Sequence, residues 1–209
     1  MKTVLLVRAF YFAIVISVCC ANLAAQTAAP APQQPAAPAP PVHKHDMESH
    51  DSPSAPSPAH EKLMRLAGDY TTAGQFFYKP GEKAIESTGT ATLTPTLGGR
   101  FLMEQNSGSM MGQPVEGTRL YGYNNGTGKY EGVWLYTSST AIMNLSGSSS
   151  DDGKTIVYTA TYDDDRGGHR TVQVTMQVLD NDSFRLELSG KNPDGSQGPL
   201  LRETYTRKK

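Results

Sequence analysis

A closed, up-and-down antiparallel β-barrel of about ten strands, preceded by one short N-terminal helix, is the all-β fold this 209-residue chain predicts. Three observations predict it. The apolar residues change from a helical spacing to a spacing of two at Asp69 and keep it to the C-terminus. Clusters of Asn, Asp, Gly and Pro cut that stretch into short segments, as hairpin turns require. A long antiparallel series with no second helix has no other element to cover its edges, and closure removes them. A barrel of ten strands is also wide enough to leave a central cavity.

Residues 1–25 read as an export signal: Lys2 and Arg8 give a positive start, and "AFYFAIVISVCC" (9–20) is a short apolar run. Small residues allow cleavage after Ala21 or Ala25, and the run is too short for a membrane span, so no stable span is expected after processing. The expected location is therefore the periplasm or the exterior. Lipoprotein anchoring through Cys19 or Cys20 fits less well, because Val18 or Cys19 would stand where a small residue is needed. Both cysteines of the chain lie in this segment, so the mature protein is expected to carry neither disulfide nor thiol chemistry. The near-neutral charge balance gives no support to nucleic-acid binding.

Residues 26–58 are dominated by Ala, Pro, Gln and Ser, too poor in large apolar groups to offset ordering entropy, and read as an extended linker. Within it "HKHDMESHD" places His43, His45 and His50 beside Met47 and three carboxylates, a donor set for copper, nickel or zinc. A solvated polar tether is the plainer reading, and loss of metal affinity on replacing the three histidines by alanine separates the two.

Residues 59–209 form the barrel domain. Ser57 as N-cap and Pro58 at the first helical position open the helix. Leu63, Leu66 and Ala67 share its apolar side and Gly68 ends it; His60, in the first turn, reads as a surface residue. Strands are expected over 69–78, 84–93, 100–108, 115–124, 130–137, 141–149, 155–163, 170–179, 183–189 and 200–207. Gly98 and Gly99 precede a strand rather than a helix and lack a following Lys-Ser/Thr pair. They predict a bend with close backbone approach, not a phosphate cradle.

Several pieces resemble the bacterial family known as domain of unknown function 1579: "HEKLMRLAGDY" (60–70), "GTATLTPTLGGRFLMEQ" (89–105) and "MMGQPVEGTRLYGYNN" (110–125), with "KYEGVW", "TAIMNLSG" and "ETYTRK" after them. The resemblance covers roughly residues 60 to 208 and implies a calycin-like, lipocalin-like barrel, but no activity. Tyr70 stands where the family usually has tryptophan. The resemblance implies that this aromatic packs against an arginine near the last strand, here Arg207.

Catalytic groups are few, and no cofactor is expected. His60 and His169 are the only histidines from the helix onward, and no nucleophile-elbow motif is present. "DDDRGG" (163–168) alternates carboxylates as a calcium loop does, but Val174 holds the twelfth position, so it reads as a charged turn. Glu104 and Glu116 are candidates for an acid pair across neighbouring strands. The stronger expectation is a non-enzymatic container for a small apolar or amphipathic ligand. Phe101, Met103, Met110, Met111, Arg119, Tyr121, Tyr123, Trp134, Tyr136, Tyr158 and Met176 are its candidate wall, read from strand parity. The same pattern suits a barrel filled by its own side chains and acting as an interaction or structural module. Parity alone does not separate them.

Overall fold

The computed structural model describes residues 52–77, 82–110, 112–150, 153–191 and 195–209. The export-signal residues, His43, His45, His50 and Met111 lie outside the described residues. One helix, α1 (Pro58–Met64), precedes ten strands: β1 (Gly68–Phe76), β2 (Ile85–Thr96), β3 (Phe101–Met110), β4 (Gln113–Asn124) and β5 (Lys129–Tyr136), then β6 (Met143–Ser149), β7 (Thr155–Asp163), β8 (His169–Val178), β9 (Ser183–Lys191) and β10 (Gln197–Arg207). Each strand pairs antiparallel with its sequence neighbours, and β1 pairs with β10, so the sheet closes as a ten-stranded barrel with no free edge. The closing register sets Tyr70 opposite Arg207, whose guanidinium lies 4.9 Å from the Tyr70 ring centre, the pairing expected from the family resemblance. Among the described residues no helix is long and apolar enough to cross a membrane.

The helix is shorter than its apolar pattern suggested. After Met64 the chain tightens into i→i−3 bonds, Leu66 N–H to Leu63 O and Ala67 N–H to Met64 O, and Gly68 then starts β1 with φ 146°. Gly68 therefore opens the sheet instead of capping the helix. His60 departs further from expectation: it is buried, its Nδ1 accepts the Ser57 amide at 2.9 Å, and its ring packs edge-on to Tyr123. It is the third residue of a capping arrangement that a seven-residue helix needs. The chain meets the barrel before Pro58: Asn125 Nδ2 donates to the carbonyls of Pro53 and Ala55, and Arg100 Nε to Ser54 O.

The turn between β2 and β3 runs through Leu97, Gly98 and Gly99 at φ 50°, 67° and 78°. The left-handed path requires the glycines. Close approach does not, since a Cβ on Gly99 would meet nothing within 4 Å.

Inward positions alternate along every strand. In the half beneath α1 they are large: Tyr70, Leu102, Tyr121, Tyr158, Met176, Phe184, Leu186 and Tyr205 are almost wholly buried, with Leu63 of α1 closing over them. Phe184 stacks on Tyr205 at 4.1 Å. This half is a packed core, which makes the interior smaller than ten strands could enclose.

Candidate functional site

Away from α1 small or polar inward residues, Thr72, Ser87, Asn106 and Gly108, stand among the large ones, and the interior opens. A cavity of about 180 Å3 lies at the end where the β1–β2, β3–β4, β5–β6 and β9–β10 connections gather. Phe76, Met110, Val115, Met143, Leu188 and Leu201 give it apolar walls, and Thr72, Ser87, Asn106 and Ser138 give polar ones. Arg119, Trp134, Tyr136 and Glu203 also line it, at the boundary with the packed half. Among the described residues, no group of three or more His, Cys, Asp or Glu side chains is placed to hold a metal ion.

The cavity floor is an ionic network built on Arg119. The β3–β4 register sets Arg119 opposite Glu104, both fully inside, at 2.9 Å between Nη1 and Oε1. Arg119 Nη2 donates to Glu203 Oε2 at 3.1 Å and Nε to the Tyr136 hydroxyl at 2.6 Å; Nη1 also donates to Tyr205 Oη. That hydroxyl lies 2.9 Å from Glu104 Oε1 and 3.0 Å from Glu203 Oε2, one proton facing two carboxylates. Asn106 Nδ2 donates to Oε1 of Glu104 and Tyr121 Oη to Oε2, so both oxygens of that buried carboxylate are hydrogen-bonded. The guanidinium also lies 4.5 Å from the centre of the Trp134 ring. Gly117, between Asn106 and Tyr136, leaves room for both, because a Cβ there would collide with each.

Electrostatics follow from burial. Desolvation pushes the Glu104 carboxyl above its ordinary value, opposed by Arg119, and Glu203 adds a like charge that pushes the same way. Burial is also the main cause that holds the Tyr121, Tyr136 and Tyr205 hydroxyls protonated well beyond neutral pH. Among the described residues Glu203 is the one carboxylate lining the cavity. Both of its hydrogen bonds go to Oε2, and its side chain keeps 16% of its exposure. The indole N–H of Trp134, buried in the wall, has no acceptor among the described residues.

Of the residues singled out by parity, Met110, Arg119, Trp134 and Tyr136 line the cavity. Tyr121, Tyr158 and Met176 lie deeper, in the packed half, and Tyr123 sits under α1 against His60. Phe101 and Met103 alternate with buried Leu102 and Glu104 and so face outward, away from the cavity. Parity points to the wrong face of β3 because both of its faces carry apolar residues, and the buried face is the one holding a carboxylate with a partner. Glu104 and Glu116 do not pair: Glu116 is exposed and opposite Ser107. Glu203 and Tyr205 complete the floor beyond the residues that parity singles out, and their alternate spacing in the last strand is the signal for them in the sequence. His169, in β8, lies 2.8 Å from Asp163 on the exterior.

The family described as "Protein of unknown function (DUF1579)" matches residues 55–207. No curated protein matches the chain. Among solved structures, Rv2717c from M. tuberculosis is similar at 16% identity and TM-score 0.55, covering 73% of this chain and 99% of its own. An S-type phycobiliprotein lyase, CPES, from Guillardia theta gives 12% identity and TM-score 0.49, covering 71% and 92%. A de novo designed fluorescence-activating β-barrel gives 15% and 0.40, covering 69% and 95%. At these identities the first of the three supports the barrel fold and nothing beyond it.

Proposed function

The chain belongs to the DUF1579 family, whose description leaves function open, and we propose that it is an exported, non-enzymatic barrel that holds one small amphipathic molecule. The observation that carries the reading is the half-open interior: apolar walls converge on a polar floor in a cavity of about 180 Å3. An apolar cavity of about 150 Å3 suffices for benzene, so the expected occupant is the size of a single substituted ring rather than a long-chain lipid. Buried arginine and carboxylates meeting in a cavity would also suit catalysis. Against that, Arg119 and Glu104 are tied to each other and to tyrosines, and among the described residues no histidine lines the space to activate its serine and threonine hydroxyls. Export rests on the positive, apolar and small-residue order of the first 25 residues.

Trp134 is the only tryptophan of the chain and lies in the cavity wall, so it reports occupancy directly. Titration with cyclohexanol should give a saturable change in its emission. Val115→Phe, which fills the space, should abolish the change while leaving the melting temperature within a few degrees. A linear, unsaturable response in the wild type would contradict the reading.

A further inference from the structure

The floor of the cavity has a polarity that specifies its ligand more narrowly than shape does. Arg119 looks at first like an anchor for a carboxylate. Four of its five N–H donors are occupied instead: Nε by Tyr136, both on Nη1 by Glu104 and Tyr205, and one on Nη2 by Glu203. One guanidinium stands against two carboxylates, so the floor carries no surplus of positive charge for an added anion. Glu203 Oε1 has no donor among the described residues. Lining the same cavity is the Tyr136 hydroxyl, whose oxygen accepts from Arg119 and whose proton has no acceptor among the described residues; the Trp134 indole N–H is also unpaired, but its nitrogen is sealed from the open space.

An open acceptor and an open donor in one cavity are the complement of an uncharged amide. We infer that the ligand held by this cavity carries a carboxamide or cyclic-amide head on a ring-sized apolar body, its N–H donating to Glu203 Oε1 and its carbonyl accepting from Tyr136. Carboxylates are selected against, because they bring a third negative charge and no N–H for Glu203. This assignment rests on the container reading and adds the chemical class of the ligand.

Benzamide and benzoate differ in little but the group at issue, and cyclohexanol gauges the cavity alone. Calorimetric titration of the mature wild-type protein at pH 7 should rank benzamide above benzoate by at least about tenfold, the scale of one hydrogen bond to a charged group. Glu203→Gln keeps an oxygen for Arg119 and Tyr205 but turns an N–H2 group to the cavity. Its preference should fall to about parity or reverse, with saturable cyclohexanol binding retained as the check that the cavity survives. Benzoate binding as tightly as benzamide to the wild type would overturn the amide assignment and leave the container standing. Preference retained in Glu203→Gln would overturn the role of Glu203. No binding of cyclohexanol, benzamide or benzoate would overturn both the assignment and the container.

Discussion

Glu104 is buried to the same degree as Leu102 two positions before it, and its environment explains how. Four donors from Arg119, Tyr205, Tyr121 and Asn106 converge on one carboxylate that has left water. Removing a single partner from such a pair leaves a lone buried charge. Arg119→Met should therefore destabilise the barrel by about 3–5 kcal/mol in urea unfolding at pH 7, and the double substitution with Glu104→Gln should recover much of that loss. The pH dependence has the opposite sign to that of an ordinary surface carboxylate. A carboxyl whose folded-state value lies above the reference of 4.5 binds its proton more tightly when folded. Its contribution therefore falls as pH rises from about 4.5 through the folded value, and is level beyond it. The stability of the wild type relative to Glu104→Gln should decline over that interval; a rise there would contradict the direction of the shift. Little of this was legible in the sequence, where Phe101 and Met103 looked like the inner face of β3. A carboxylate reads as exposed until its arginine is found, and that arginine lies on the next strand.

The elements were far more legible. Turns such as Asn124–Gly128 and the Leu97–Gly99 bend need left-handed residues, and glycine at those positions marks them in the sequence. All ten strands were found between such marks, although β10 begins earlier than expected, at Gln197, across an irregularity between Pro199 and Leu201. The helix was legible at its start and not at its end, because Gly68 is used by β1. Its hold on the barrel passes through His60, whose ring is buried against Tyr123 and whose Nδ1 caps Ser57. Burial lowers the His60 value from 6.5, so the unfolded chain takes up a proton first as pH falls. Stability from this residue is full above about 6.5 and is lost as pH drops through the folded value. His60→Gln preserves an acceptor at the third position of the cap. It should stay within about 1 kcal/mol of the wild type at pH 7.5 and lose that acid-side dependence in thermal melts between pH 7.5 and 5. A variant that retains the full dependence would place its origin elsewhere.

At the scale of the whole molecule, closure and alternation divide the interior into two parts with different tasks. Aromatic and long aliphatic side chains fill the half beneath α1 and stabilise the closed sheet without disulfides. The Arg119 network forms a polar partition, and beyond it small and polar inward residues leave the cavity. The sequence announced a barrel of this strand number but could not say how full it was. Parity places a tyrosine inward without telling whether neighbours reach it; Tyr158 is enclosed, whereas Tyr136 borders open space. The direct test of a container is the mass of the mature protein purified gently from its native compartment, measured first as an intact complex and then denatured. The account predicts a reproducible added mass, that of a ring-sized amide, present in the intact species and absent from the denatured chain. A bare polypeptide mass in both states, together with no retention of cyclohexanol added before the measurement, would contradict it.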